Sequence, residues 1–157
     1  MLQAVDMATT GKNATVSAVS IQDVSRVSGL SEPTLRYYEK IGLIGPVPRD
    51  ESSGHRRYDS RAVETIEALS CLRAAGMSVQ DMRAYLRYLD GADAHAAEMR
   101  DLFLRNAERV AQEIEQMQVR LRYLQLKADL WAARQDGDTA RERQVVQDIT
   151  STIADLR

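Results

Sequence analysis

Two groups of side chains in this sequence could do chemistry. The first is a single thiol, Cys71, within Leu69-Ser70-Cys71-Leu72-Arg73. A thiolate adds to aldehydes and other electrophiles, or takes a nitrosyl group. A lone cysteine cannot form an intramolecular disulfide or a multi-cysteine zinc site. Beside Leu72, and one turn from Ala68 and Ala75, the same residue has the setting of a small buried hydrophobe, so both readings stay open. The second group is a run of planar cations and hydroxyls: Thr34, Arg36, Tyr37 and Tyr38, then His55, Arg56, Arg57 and Tyr58. A guanidinium fork grips phosphate or guanine, and hydroxyls bond phosphate oxygens. A catalytic centre would need more. The histidines are His55 and His95, with no phosphate-binding glycine loop, HExxH pattern or carboxylate pair. No enzyme activity, metal or cofactor is therefore expected.

The elements that must hold these residues follow from caps and breakers. Residues 1–19 are small and polar without a period, and read as a disordered leader. Ser20-Ile21-Gln22-Asp23 has the shape of a capping box, and Gly29 supplies the left-handed stop for the short helix it opens. Ser31 caps a second helix with Glu32 and Pro33 in its first turn, ending near Gly42. Two short helices around a glycine have the spacing of a helix-turn-helix. From Gly45 to Tyr58, Pro46 and Pro48 forbid helix and Ser52-Ser53-Gly54 is turn chemistry, giving a loop or small hairpin placed as a wing. Ser60 is expected to cap a third helix over about 61–75. Ser78-Val79-Gln80-Asp81 opens a fourth over about 79–89.

From about residue 94 to 135 the chain has neither proline nor glycine. Phe103, Ala107, Val110, Ile114, Met117, Leu121, Leu124, Ala128 and Trp131 alternate steps of four and three, a heptad seam over four repeats. Too little chain remains to cover so long a helix, so the seam points to a dimerising coiled coil. After Gly137, Asp138 caps a last short helix in which Val146, Ile149, Ile153 and Leu156 step 3, 4, 3, folding back or swapping to a partner. The expected organisation is thus mainly α: leader 1–19, winged helix-turn-helix head 20–90, coiled-coil helix 94–135 and C-terminal helix 138–157.

Composition agrees and sets limits. Aromatics are 5% of the 157 residues, too few for a β-rich fold, whereas 44% hydrophobic residues suffice for a core. With 21 Lys and Arg against 23 Asp and Glu, the net charge of −2 is no evidence for a nucleic-acid partner. Even the stretch from Glu32 to Arg61 is close to neutral, with Arg36, Lys40, Arg49, Arg56, Arg57 and Arg61 facing Glu32, Glu39, Asp50, Glu51 and Asp59. Only a one-sided arrangement would make it a DNA face. No run of 18 apolar residues spans a membrane, and the N-terminus lacks the pattern of a signal peptide. One cysteine suits the reducing cytosol, so a cytoplasmic location is expected.

The motifs Ile21-Gln22-Asp23-Val24, Gly29-Leu30-Ser31, Thr34-Leu35-Arg36-Tyr37-Tyr38-Glu39, Ile41-Gly42-Leu43-Ile44 and Gly54-His55-Arg56-Arg57-Tyr58 resemble the MerR family of transcriptional regulators. The likeness runs in order from about Ser20 to Leu89 and continues as the coiled coil to about Arg134. It implies a homodimer, joined by an antiparallel coiled coil, that binds double-stranded promoter DNA and distorts it so that RNA polymerase can engage both promoter elements. Carried over, Thr34, Arg36 and Tyr38 touch DNA from the recognition helix, with Arg56 and Arg57 on the wing. Tyr37 and Tyr58 are equally suited to brace the core, and His55 stands where the family often has tyrosine. No cysteine beyond residue 71 is available for the family's metal or iron–sulfur sensing. The segment from Leu69 to Ser78 looks like the short aldehyde- and nitrosative-stress branch, in which a cysteine at the position of Cys71 is the proposed sensor. Alternatives are a ligand held between head and coiled coil near Tyr85, Tyr88, Leu102 and Phe103, with Cys71 structural, or a coiled-coil adaptor or cysteine-dependent enzyme.

Overall fold

The computed structural model describes residues 18–156. The leader expected over 1–19 lies outside the described residues up to residue 17. Val19 is already structured: its N–H donates to the Tyr58 carbonyl (2.8 Å) and its carbonyl accepts from the Tyr58 N–H (2.9 Å). Six helices follow among the described residues: α1 (Ile21–Ser28), α2 (Glu32–Lys40), α3 (Ser60–Ala74), α4 (Val79–Leu89), α5 (Ala96–Asp136) and α6 (Thr139–Leu156). The described residues group into two compact units that divide between Arg83 and Ala84, inside α4.

In the first unit the caps act as local chemistry dictates. Ser20 Oγ accepts from the Asp23 N–H (3.2 Å), and the Asp23 carboxylate accepts from the Ser20 N–H (3.2 Å). Two donors that the helix leaves unpaired are thereby satisfied. Gly29, at φ 72°, ends α1 in the left-handed region open to glycine at little cost. Ser31 Oγ accepts from the Thr34 N–H (3.3 Å) to start α2 two residues later, while Pro33 sits where no helical hydrogen bond is lost. The start of α3 differs from expectation. Asp59, not Ser60, is the cap; its carboxylate accepts from the Ala62 N–H (2.7 Å) in an extended conformation, leaving Ser60 as the first helical residue. Ser70 Oγ donates to the Ser28 carbonyl (2.6 Å), tying α3 to the end of α1. Val24, Leu35, Tyr38, Tyr58, Ile66 and Leu69 are buried here.

The second unit is a helical hairpin. Gly137, at φ 68°, ends the 41-residue α5, and Asp138 accepts from the Arg141 N–H (2.9 Å) to open α6. The final helix runs 18 residues, longer than a short tail, and returns along α5. Val145 and Ile149 bury against Leu130, with Tyr123 and Leu126 packed alongside. Arg134 pairs with Glu142 (2.7 Å) and Arg141 with Asp129 (3.4 Å). The apolar steps of α6 divide: Val145, Ile149 and Thr152 turn inward, whereas Val146, Ile153 and Leu156 stay exposed. On α5, Phe103, Ala107, Ile114, Met117, Leu121, Leu124, Ala128 and Trp131 are exposed and Val110 is half-buried. The residues that α5 turns to α6 are a different set, so α6 leaves the heptad stripe exposed.

Candidate nucleic-acid interface

Helix α2 separates its two neighbouring tyrosines. Leu35 and Tyr38 face the core, and the turn of 100° per residue carries Arg36 and Tyr37 outward. Tyr38 is 3% exposed and Tyr37 50%. Tyr38, expected to touch DNA, has its ring in the core, whereas Tyr37, expected either to touch DNA or to brace the core, is the exposed one of the two. The Tyr38 ring supports the helix from inside, and Tyr37 presents its side chain at the surface. Arg36 is exposed and loosely held by Glu32 one turn back (3.3 Å). Thr34 is half-buried; its hydroxyl lies 2.8 Å from Ser31 Oγ and accepts from Arg73 Nη1 of α3 (3.3 Å).

The wing is a hairpin closed by the antiparallel pairing of Arg49 with Arg56. Asp50 N–H donates to the His55 carbonyl (2.8 Å), and Arg57 N–H to the Pro48 carbonyl (2.8 Å). The Asp50 carboxylate organises the turn, accepting from the Ser52 hydroxyl (2.5 Å) and N–H (3.0 Å) and from the Ser53 N–H (2.9 Å) and hydroxyl (3.1 Å). Those four donors, led by the Ser52 hydroxyl, hold the carboxyl far below the usual carboxylate range. Gly54 takes φ 68° in this turn.

His55 and Arg57 project into solvent, and their neighbours do not. Arg56 Nε donates to Glu39 Oε2 of α2 at 2.6 Å, with the two side chains 15% and 19% exposed. Tyr58 is 1% exposed, and its hydroxyl has no hydrogen-bond partner among the described residues. Burial first, and then the Glu39 carboxylate, push the Tyr58 phenol above its ordinary value. Arg56, expected as a wing contact, is thus held by Glu39, and Tyr58, expected either as a contact or as a core brace, is buried. A period-two hairpin alternates its faces, so neighbours in GHRRY cannot all point outward.

Between α2 and the wing lies an open groove of about 380 Å³ whose lining includes Arg36, Lys40 and Arg56 together with Glu39. Lys40 and Glu39 were not singled out as site residues from sequence. Position 39 lies one residue beyond a run chosen for hydroxyls and cations, and nothing local reveals its partner 17 residues on. Cys71 is exposed on α3, not a buried hydrophobe, and lies two residues from the Arg73 that reaches Thr34. Among the described residues no group of histidine, cysteine and acidic side chains could hold a metal ion, and no helix is long and apolar enough to cross a membrane.

Comparison with known proteins places this geometry. Residues 19–89 match the family model described as MerR HTH family regulatory protein. The HTH-type transcriptional regulator AdhR of Bacillus subtilis is 43% identical over 67 residues, a stretch that covers 43% of this chain and 47% of that protein. HmrR of Rhizobium leguminosarum is 32% identical over 68% of this chain and 83% of its own length. Among solved structures, HiNmlR, described as a MerR family regulator lacking the sensor domain and bound to promoter DNA, superposes with a TM-score of 0.62 at 27% identity. That superposition covers 82% of this chain and 95% of HiNmlR.

Proposed function

The chain belongs to the MerR HTH family of regulatory proteins, and from that premise we propose that it is a homodimer that distorts promoter DNA when Cys71 is modified. Membership makes it a DNA-binding transcription regulator rather than an enzyme. The observation that carries the reading is the clamped pair of recognition helix and wing, which leaves Arg36, Tyr37, His55 and Arg57 exposed. A helix of this kind enters the major groove while the wing follows the neighbouring backbone. The similarity to HiNmlR, whose structure contains promoter DNA, supports the same use here.

The bare heptad stripe of α5 supports a dimer, with a second copy of α5 covering it in antiparallel fashion. Two heads joined through paired α5 helices read two half-sites, and RNA polymerase engages the promoter between them. Selectivity then includes the energy of deforming the sequence between the half-sites, not base contacts alone.

For the trigger, the exposed Cys71 sulfur attacks an aldehyde carbonyl carbon. The S–C bond forms, the π pair moves to oxygen, and oxygen takes up the proton that sulfur gave up, leaving a hemithioacetal. The added polar group sits on α3, which is bonded to α1 through Ser70 and to α2 through Arg73. A change at residue 71 is therefore one residue from the tie to α1 and two from the tie to α2. A lone thiol of this kind stays free in the reducing cytosol.

Transcription in vitro from the promoter beside its own gene tests this, with wild type and Cys71→Ser challenged by formaldehyde or methylglyoxal. Gel shifts first establish that both bind the promoter fragment. Activation in the wild type alone is the expected result. An equal response in both removes Cys71 from the mechanism, and a response in neither removes the aldehyde.

A further inference from the structure

We propose that Glu39 is a positioning residue for DNA recognition: by holding Arg56, it fixes the wing against the recognition helix and keeps that guanidinium from serving as a phosphate contact. The inference rests on the regulator reading above and deepens it, giving the clamp between helix and wing a role in selectivity. Three observations carry it. The pair spans 17 residues and joins the two elements that meet DNA, at 2.6 Å and with both side chains mostly buried. Arg56 and Glu39 line the same groove as the cations Arg36 and Lys40, so the carboxylate is the internal anion of a pocket otherwise suited to a phosphate. Arg56 stands opposite Arg49 in the hairpin, between the backbone hydrogen bonds of its neighbours His55 and Arg57, so the ion pair attaches to a residue held from both sides.

Loss of one partner from a mostly buried pair leaves the other charge uncompensated, and it then seeks any available counterion. In Glu39→Gln, Arg56 joins Arg36 and Lys40 as a third cation free to meet a phosphate of any sequence. The consequence runs against simple expectation: removing this side chain strengthens binding to DNA in general while weakening selectivity. A residue that served folding alone would lower affinity for every duplex and leave the salt dependence untouched.

The test measures binding of the full-length protein to the promoter duplex beside its own gene, and to an unrelated duplex of equal length, over a salt series. For Glu39→Gln we expect tighter binding to the unrelated duplex and a slope of log K against log salt steeper by about 0.9, one additional phosphate contact. Promoter preference should fall roughly tenfold, the size of one mismatched base pair. Arg56→Gln should lose a similar preference with its slope unchanged, whereas Arg57→Gln should flatten the slope by about 0.9. If Arg56→Gln flattens the slope as Arg57→Gln does, Arg56 is a phosphate contact and the proposal is overturned. Unchanged preference in Glu39→Gln overturns it too. Should Glu39→Gln fail to fold, the slope of Arg56→Gln decides alone. A wild type without preference for the promoter duplex overturns the regulator reading itself, a result none of the variants can mimic.

Discussion

Whether a side chain meets DNA or meets its own domain is decided, in this head, by single steps along the backbone. Tyr37 and Tyr38 are chemically identical neighbours, yet the helix buries one and presents the other. Tyr58 is the sharper case, because a phenol that contacted phosphate would need its hydroxyl at the surface. That hydroxyl is buried without a partner among the described residues. An unsatisfied buried polar group costs about 1–3 kcal/mol, and removing it with its shape preserved is neutral or stabilising. Tyr58→Phe should therefore raise the midpoint of thermal unfolding or leave it unchanged, with promoter affinity as in the wild type. A gel-shift loss of tenfold or more would return Tyr58 to the DNA face. The effect also depends on pH. The folded-state value is raised, so the unfolded chain ionises first; wild-type stability is intact below about pH 10 and declines as pH rises through the folded value. Tyr58→Phe should lack that share of the alkaline loss, which denaturant melts at pH 9 and 11 would reveal.

At the scale of elements, the wing stands on one carboxylate. Asp50 accepts four hydrogen bonds from Ser52 and Ser53 and has its pKa strongly lowered by them. A depressed carboxyl contributes its stability above the unfolded-state value, and loses it as pH falls from there through the folded value. Asp50→Ala should leave α1 and α2 folded but loosen the turn, giving faster amide exchange at His55 and Arg57 and several-fold weaker promoter binding. Protection at those amides equal to wild type would contradict it. The capping box at Ser20 and the glycine stops were legible in the sequence because each depends on residues within a few positions of one another, and the long helix because its stretch lacks proline and glycine. The start of α3 was misread by one residue, since Asp59 and Ser60 are both good caps and only the extended backbone at Asp59 selects between them. The role of Arg56 was not legible at all. Its partner, Glu39, lies on another element, and no local pattern encodes a contact across 17 residues. Cys71 stood between two readings for the same reason: whether a mid-helix position is covered depends on which other elements reach it.

For the molecule as a whole, the exposed stripe along α5 is the argument for the proposed dimer. Phe103, Ile114, Met117, Leu121, Leu124 and Trp131 are between 41% and 64% exposed in the single chain, at spacings that return to one face every seven residues. The α6 helix does not cover them, because it packs on Tyr123, Leu126 and Leu130 instead. A seam with a 3.5-residue repeat is matched by another helix carrying the same repeat, and a second α5 is the simplest such partner. In a two-fold dimer every seam residue occurs twice, so one substitution removes two contacts. Burying a leucine is worth about 1.5–3 kcal/mol, so Leu124→Asp should weaken association by roughly 3–6 kcal/mol, a Kd at least about a hundredfold larger. Sedimentation at micromolar concentration should then show a monomer whose helical content in circular dichroism matches wild type, because the α5–α6 core is untouched. Promoter binding should fall with it, since a lone head holds one half-site and forfeits the second. A Leu124→Asp protein that remained dimeric would place the seam elsewhere on the molecule. One that became monomeric yet kept full promoter affinity would separate DNA recognition from dimerisation, and the coupling of two heads through α5 would have to be abandoned.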